Sequence, residues 1–173
     1  MGVEEIKKAI RDIEDFPKPG IVFKDITPVL ADPVLFKAAI DIFEERHRDA
    51  AIDKVAAVDA RGFLFAGALC DRIGSGLVPI RKKGKLPYET HEETYDLEYG
   101  SATVAIHSDA FQKGERVLLL DDLLATGGTA AASARLIEKA GGTVVELDFL
   151  IELSFLNGRE KLSGYEVYAA IAY

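Results

Sequence analysis

A single cysteine, Cys70, stands among the 173 residues. That excludes an internal disulfide framework and a cysteine-built zinc cage, both of which need several thiols. Long apolar runs are missing too, and none approaches the roughly 18 residues of a membrane span. The first sixteen residues alternate Glu, Lys and Asp with isolated aliphatic side chains, without the apolar centre of a signal peptide. Positive charge is in deficit, at a formal net −8, which argues against a nucleic-acid binder, usually a basic protein. The expected setting is therefore cytoplasmic, with no membrane and no nucleic acid as partner. The deficit does not exclude a small anionic ligand, because a local cluster outweighs the total at contact range. Arg81, Lys82, Lys83 and Lys85 form such a cluster. No repeat, low-complexity tract or linker interrupts the chain. With 49% apolar and 29% charged residues, it reads as one globular domain.

Val3, Ile6, Ile10 and Ile13 fall at helical spacing and predict an amphipathic helix ending before Pro17. Phe16 to Gly20, with two prolines and a glycine, forces an irregular connection, followed by the apolar run Ile21-Val22-Phe23. Asp32 is a good N-cap with Pro33 at the first helical position, opening a helix that carries Leu35, Phe36, Ile40 and Phe43 on one side. Val55 to Val58 is apolar and unalternated, as in a strand buried on both faces. Arg61-Gly62 turns the chain into a buried helix over Phe63–Ile73, closed by Gly74 and Gly76. Leu77 to Ile80 is a further strand, where Pro79 suggests an edge or irregular position. Val117 to Leu120 is a buried strand, Thr129 to Ala140 a helix stopped by Gly141-Gly142, and Thr143 to Leu153 a strand. Short buried strands alternating with helices predict an α/β domain with a mostly parallel sheet. Lys82 to Gly100 is long, polar and mixed in charge, as a lid would be. Thr103 to Ile106 alternates and is suited to pair antiparallel with the approach to that lid.

The chemistry concentrates between Val117 and Thr129. A buried strand delivers Asp121 and Asp122, and Leu123, Leu124 and a small, hydroxyl-bearing loop, Ala125-Thr126-Gly127-Gly128-Thr129, opens the next helix. In open α/β sheets ligands bind at that end of the strands. Gly127 and Gly128 let backbone N–H groups approach a phosphate, Thr126 and Thr129 add hydroxyl donors, and the helix N-terminus adds partial positive charge. The loop has no lysine, so it is not a triphosphate cradle of the G-x-x-x-x-G-K-[ST] kind, and it is not a G-x-G-x-x-G dinucleotide turn. It suits a phosphate monoester with two acids set to accept hydrogen bonds from vicinal hydroxyls, as on a 5-phosphorylated ribose. The competing reading is structural, with the acids capping a helix and the glycines making a tight turn.

The run from Asp121 to Thr129 resembles the phosphoribosyl pyrophosphate (PRPP) signature of the type I phosphoribosyltransferases, in the form of their adenine-specific branch. The likeness continues in the same order through Phe16–Pro28, Asp59–Phe63, Arg81–Pro87 and Leu97–Gly100, nearly the whole chain. The resemblance implies transfer of a phosphoribosyl group from PRPP to adenine with release of pyrophosphate. It implies a small hood over residues 1–32, for base recognition, and a mobile antiparallel lid over 82–106. By the same resemblance Asp121 and Asp122 hold the ribose hydroxyls, and Ala125, Thr126, Gly127, Gly128 and Thr129 wrap the 5-phosphate. Arg81, Lys82 and Lys85 serve pyrophosphate, and Arg61 faces pyrophosphate or base. Glu98 on the lid manages the purine's proton, and Tyr99 packs over ribose or pyrophosphate on closure. Phe23 stacks on adenine with Leu123 on the opposite face, while the backbone of Val22 and Lys24 reads the 6-amino edge. Mg²⁺, held mainly by substrate and water, is the implied cofactor, and a homodimer the implied assembly.

Two alternatives stay open on the sequence. One is transfer to a different base, which shares the phosphate loop and differs in the base pocket. The other is a PRPP-sensing regulator without catalysis, which would be expected to lose the lid glutamate. Cys70 and His47 read as structural.

Overall fold

A computed structural model describes residues 2–173. The chain divides into two units, one up to Glu45 and one from Arg46 to Tyr173.

In the first unit, α1 (Val3–Ala9) buries Ile6, and its end differs from the periodic reading. Ile10 is already extended, and β1 (Arg11–Ile13) pairs antiparallel with β2 (Phe23–Asp25). Ile6, Ile10 and Ile13 keep helical spacing, yet cross-strand pairing wins where opposite charges meet. Lys24 Nζ lies 2.6 Å from Asp12 Oδ1, and Arg11 Nη1 lies 3.7 Å from Asp25 Oδ2. A short helix, α2 (Thr27–Ala31), went unread in the sequence, and the Asp25 carboxylate accepts from the Thr27 N–H at 2.9 Å. In α3 (Pro33–His47) the N-cap holds as expected, with Asp32 Oδ1 accepting from the Val34 and Leu35 N–H groups at 2.8 and 3.1 Å. Ile40 and Phe43 are buried, while Leu35 and Phe36 are half-buried.

The second unit carries β3 (Lys54–Val58), α4 (Arg61–Ile73), β4 (Gly76–Lys82), β5 (Thr90–Asp96), β6 (Ser101–His107), β7 (Arg116–Leu124), α5 (Gly128–Lys139) and β8 (Thr143–Glu152). Two 3-10 turns, Ser154–Leu156 and Gly158–Leu162, lead to β9 (Val167–Ala172). The seven larger strands form one sheet in the order β5-β6-β4-β3-β7-β8-β9. Strands β4, β3, β7, β8 and β9 run parallel, and β6 and β5 are antiparallel additions. This is the expected mostly parallel α/β sheet. Its middle strands are apolar on both faces: Val55 to Ala57 and Val117 to Leu120 are fully buried. Ala130, Ala131, Ala132 and Ala134 of α5 are buried too, small side chains that let a helix lie close to a sheet.

Strand β4 is interior in the sheet order, yet at Pro79 it is paired on one side only, so the edge or irregular reading holds locally. The reason is local. Ile80 faces β3, its carbonyl accepting from the Asp59 N–H at 3.0 Å, so the neighbouring Pro79 nitrogen faces the other side. There the ladder to β6 starts only at Arg81↔Ala105, and no ladder bond is lost. The stretch read as a lid loop is largely ordered as a hairpin, β5 pairing with β6 from Thr90↔His107 to Asp96↔Ser101. Thr103 to Ile106 lies within β6, and its Val104 and Ala105 pair with the approach, Lys82 and Arg81, as expected. β9 had no counterpart in the sequence reading. It adds in parallel to β8, from Leu147↔Val167 to Glu152↔Ala172, after 3-10 turns that have no amphipathic period to recognise.

Candidate active site

Within the parallel part of the sheet, chain order and strand order diverge between β3 and β7. From β3 the chain moves to β4 on one side, and later returns to β7 on the other side. The carboxyl ends of β3 and β7 therefore flank the switch point where open α/β sheets bind ligands. Both candidate clusters begin there. Strand β7 runs on to Leu124, so Asp121 and Asp122 lie inside the strand rather than just beyond it. Pairing of Asp121↔Phe149 and Leu123↔Ile151 with β8 carries the extra residues.

The two acids are neighbours on the strand, and each carboxylate meets the first turn of α4. Asp121 Oδ1 accepts from the Asp122 backbone N–H at 2.8 Å. It lies against Gly62 in the first turn of α4, where an added Cβ would sit 2.9 Å from Asp121 Oδ1 and 3.0 Å from the Leu120 carbonyl. Burial pushes the Asp121 carboxyl well above the usual carboxylate range, and the neighbouring Asp122 charge pushes it further. Asp122 is buried and has its own counterion, with Arg61 Nε donating to Asp122 Oδ2 at 2.5 Å. Arg61 is the first residue of α4 rather than a turn residue, so the ends of β3 and β7 are tied by that ion pair.

After Leu124 the loop enters α5. Gly127 is the N-cap at φ +83°, and no side chain caps the helix. The first bond inside the helix runs from the Ala131 N–H to the Gly127 carbonyl at 2.9 Å. The N–H groups of Gly128, Thr129 and Ala130 thus have no intrahelical acceptor, and they point at the dipole's positive end. Asp121, Leu123 and the run Leu124–Ala130 line a cavity of about 100 Å³ around this turn. The sequence-predicted phosphate residues are brought together here, with Leu123 and Asp121 beside them.

The basic cluster forms a second group. Arg81 Nε donates to Asp59 Oδ2 at 2.9 Å, and Arg81 Nη1 reaches the Lys85 carbonyl at 3.4 Å. Asp59, at the end of β3, went unread as a partner. Lys82 ends β4 and Lys85 lies in the following turn, both exposed, while Lys83 pairs with Glu92 at 2.9 Å.

The lid tip is the turn after β5, closed by the Leu97 N–H donating to the Gly100 carbonyl at 2.9 Å. Glu98 lines a larger cavity, about 630 Å³, together with Tyr95, Thr126 and Thr129. Tyr99 is 80% exposed and does not line that cavity. Tyr95 is a residue the sequence reading passed over. Its hydroxyl is 2.8 Å from Thr129 Oγ1, and its ring lies on Gly128, where an added Cβ would come within 3.1 Å of Cδ2. Alternation along β5 put Tyr95 on one face with His91 and Glu93, a signal masked by the acidic residues around it.

Within the first unit, Phe23 is half-buried in β2 and meets Phe16 edge-on, ring centroids 5.2 Å apart. Ile13, Phe16, Phe23 and Asp25 line a cavity of about 240 Å³ there. Val22 is exposed, and Lys24 Nζ is held by Asp12.

Comparison with known proteins bears on this arrangement directly. The family model of the phosphoribosyl transferase domain matches residues 25–166. The adenine phosphoribosyltransferase of Christiangramia forsetii is 53% identical over 169 residues, covering 98% of this chain and 99% of that protein. The crystal structure of the adenine phosphoribosyltransferase from Thermoanaerobacter pseudethanolicus superposes with a TM-score of 0.96 at 52% identity, covering 99% of each chain. That of Saccharomyces cerevisiae, complexed with adenine and an imino-altritol bisphosphate, gives a TM-score of 0.93 at 40% identity, covering 97% of each. With the family model matching most of the chain and relatives more than half identical over nearly their full length, this chain belongs to the phosphoribosyltransferase family, in its adenine phosphoribosyltransferase branch.

Proposed function

We propose that the chain transfers the 5-phosphoribosyl group of PRPP to adenine, giving AMP and pyrophosphate. The observation that carries this is the uncapped N-terminus of α5, with Ala125 to Thr129 wrapped around it and Asp121 beside it at the switch point of the sheet. That turn has the donors for a sugar phosphate, and the neighbouring acids have the acceptors for its diol. Arg81, Lys82 and Lys85 receive the pyrophosphate end, with Arg61 between Asp122 and that group. Phe23, with the backbone of Val22 and Lys24, reads the base.

In the reaction the bond from ribose C1 to the pyrophosphate oxygen breaks as adenine N9 bonds to C1. Positive charge builds on the sugar, negative charge leaves with pyrophosphate, and the proton on the ring nitrogen must go. Arginine and lysine side chains stabilise the leaving charge where it develops. Glu98 accepts the ring proton or draws it off through a hydrogen bond, a role worth roughly 10²–10⁴ in rate for acid–base groups in general. Closing of the hairpin tip keeps out water, which would otherwise hydrolyse PRPP.

Mg²⁺, held mainly by the pyrophosphate oxygens of the substrate and by water, would supply neutralisation of part of the leaving charge. The residues fit that arrangement: Asp59 and Asp122 already have arginine partners, and the one cluster of potential metal ligands among the described residues, His47, Glu146 and Asp148, contains no residue of the phosphate loop. No described helix is long and apolar enough to cross a membrane. A cytoplasmic homodimer is the proposed form. The test is pyrophosphate release from PRPP and Mg²⁺ with each purine in turn. Release with adenine and not with hypoxanthine, guanine or xanthine is the expected result. Release with none, while PRPP still binds, would favour the regulator.

A further inference from the structure

No lysine or arginine occurs between Asp121 and Ala134. The loop therefore offers a phosphate only backbone dipoles and hydroxyls, a partial charge of about +0.5 at the helix end. A phosphate monoester carries about −1.5 to −2 at neutral pH. Arg61, the cation next to this loop, is already paired with Asp122, which leaves the balance to another segment.

The 3-10 turn Gly158–Leu162 is that segment. It is seated against the phosphate loop by backbone contact: an added Cβ on Gly127 would lie 2.4 Å from the Gly158 carbonyl oxygen, and one on Gly158 would lie 2.4 Å from the Ala125 carbonyl oxygen. Both positions are glycine because neither has room for a side chain. The turn is also fixed from behind. Arg159 donates to both Glu152 carboxylate oxygens at 2.8 Å and to the Val167 carbonyl at 2.9 Å, and Leu162 is buried. Between these anchors stands Lys161, exposed and without a hydrogen bond or ion pair among the described residues. It lines the same cavity as Thr126, Thr129 and Glu98, and the adjoining one beside Gly128.

We propose that Lys161 is a binding residue for the 5-phosphate of the substrate, supplying from the Gly158–Leu162 turn the cation that the phosphate loop lacks. The assignment rests on the phosphoribosyl reading above and adds to it a residue outside the signature loop. A charge-assisted bond to phosphate is among the stronger single contacts. A lysine whose backbone is already anchored loses less freedom in making it than one on a mobile loop.

The test uses the full chain as Lys161→Gln and Lys161→Arg, with ribose 5-phosphate and with Mg-pyrophosphate titrated separately by calorimetry. Lys161→Gln is expected to weaken ribose 5-phosphate about tenfold and to leave pyrophosphate within about twofold. Lys161→Arg is expected to restore most of the loss. In steady state KM for PRPP rises with ribose 5-phosphate Kd, and kcat changes little. Unaltered ribose 5-phosphate affinity in Lys161→Gln, or a loss confined to pyrophosphate, overturns the assignment while leaving the phosphoribosyl reading standing. Failure of the unmodified chain to bind either PRPP or ribose 5-phosphate overturns both.

Discussion

Gly127→Ala probes the phosphate loop where two separate requirements meet. The first is conformational: Gly127 sits at φ +83°, and an L-residue there costs about 1–2 kcal/mol. The second is space, since the new Cβ would lie 2.4 Å from the Gly158 carbonyl oxygen and 3.1 Å from its carbon. Those are backbone atoms and cannot rotate away, so the loop or the turn has to shift, an overpacking cost of about 1–3 kcal/mol. Together the substitution should destabilise by about 2–5 kcal/mol, or about 4–20 °C in Tm for a chain of this size. Gly164→Ala separates the two terms. Gly164 has φ +93° with nothing within 4 Å of an added Cβ, so only the conformational cost of about 1–2 kcal/mol applies. Urea unfolding of both variants measures the difference, and calorimetry with PRPP measures its consequence at the site. Gly127→Ala should lose PRPP affinity at least about tenfold, because a shift of a few tenths of an ångström misaims the N–H groups, whereas Gly164→Ala should bind normally. Equal destabilisation in the two variants, with PRPP binding intact in both, would refute the claim that the turn shapes the loop.

Glu98→Gln should lower kcat by roughly 10²–10⁴ with PRPP affinity within about threefold, and an unchanged kcat in stopped-flow or steady-state assay would remove its proton role. Asp122→Asn should weaken PRPP in calorimetry by about tenfold or more, since it takes a charged acceptor from the ribose and the counterion from Arg61; full affinity would make the acid pair structural. Asp148→Asn tests the buried cluster beneath Arg46. Burial raises the Asp148 carboxyl above its ordinary 3.8, against the pull of His47, which bonds it at 2.8 Å. A raised native value means the protonated form is favoured on folding, so that stability is present in acid and is lost as pH rises through the native value. The Asn variant lacks this loss and keeps an acceptor for His47 Nε2. Its urea midpoint should therefore gain on the unmodified protein from about pH 4 upward, and a difference that is flat with pH would contradict the sign.

Much of this protein was legible as a string of residues. The unalternated runs Val55–Val58 and Val117–Leu120 announce strands buried on both faces, because such strands have no solvent side to mark with polar residues. Asp32-Pro33 opens a helix, and Gly74 closes one, through backbone geometry that depends on nearest neighbours only. The grouping of acids, hydroxyls and glycines from Asp121 to Thr129 at one cavity was legible for the same reason, since all its parts lie on one strand, one turn and one helix end. Where two periodicities competed, as from Ile6 to Ile13, the local signal misled: the pairing that ended the helix early comes from residues across the hairpin.

Only the tertiary structure could decide the rest. It set β4 inside the sheet despite Pro79, gave Asp122 to Arg61, laid Tyr95 on Gly128 and Thr129, and brought Gly158 and Lys161 behind a loop far from them in the chain. Periodicity and capping are properties of adjacent residues and can be read in order along the chain. A contact between two backbones, or a cation delivered by another segment, depends on how strands are ordered in space. That order follows from burying all the apolar faces at once.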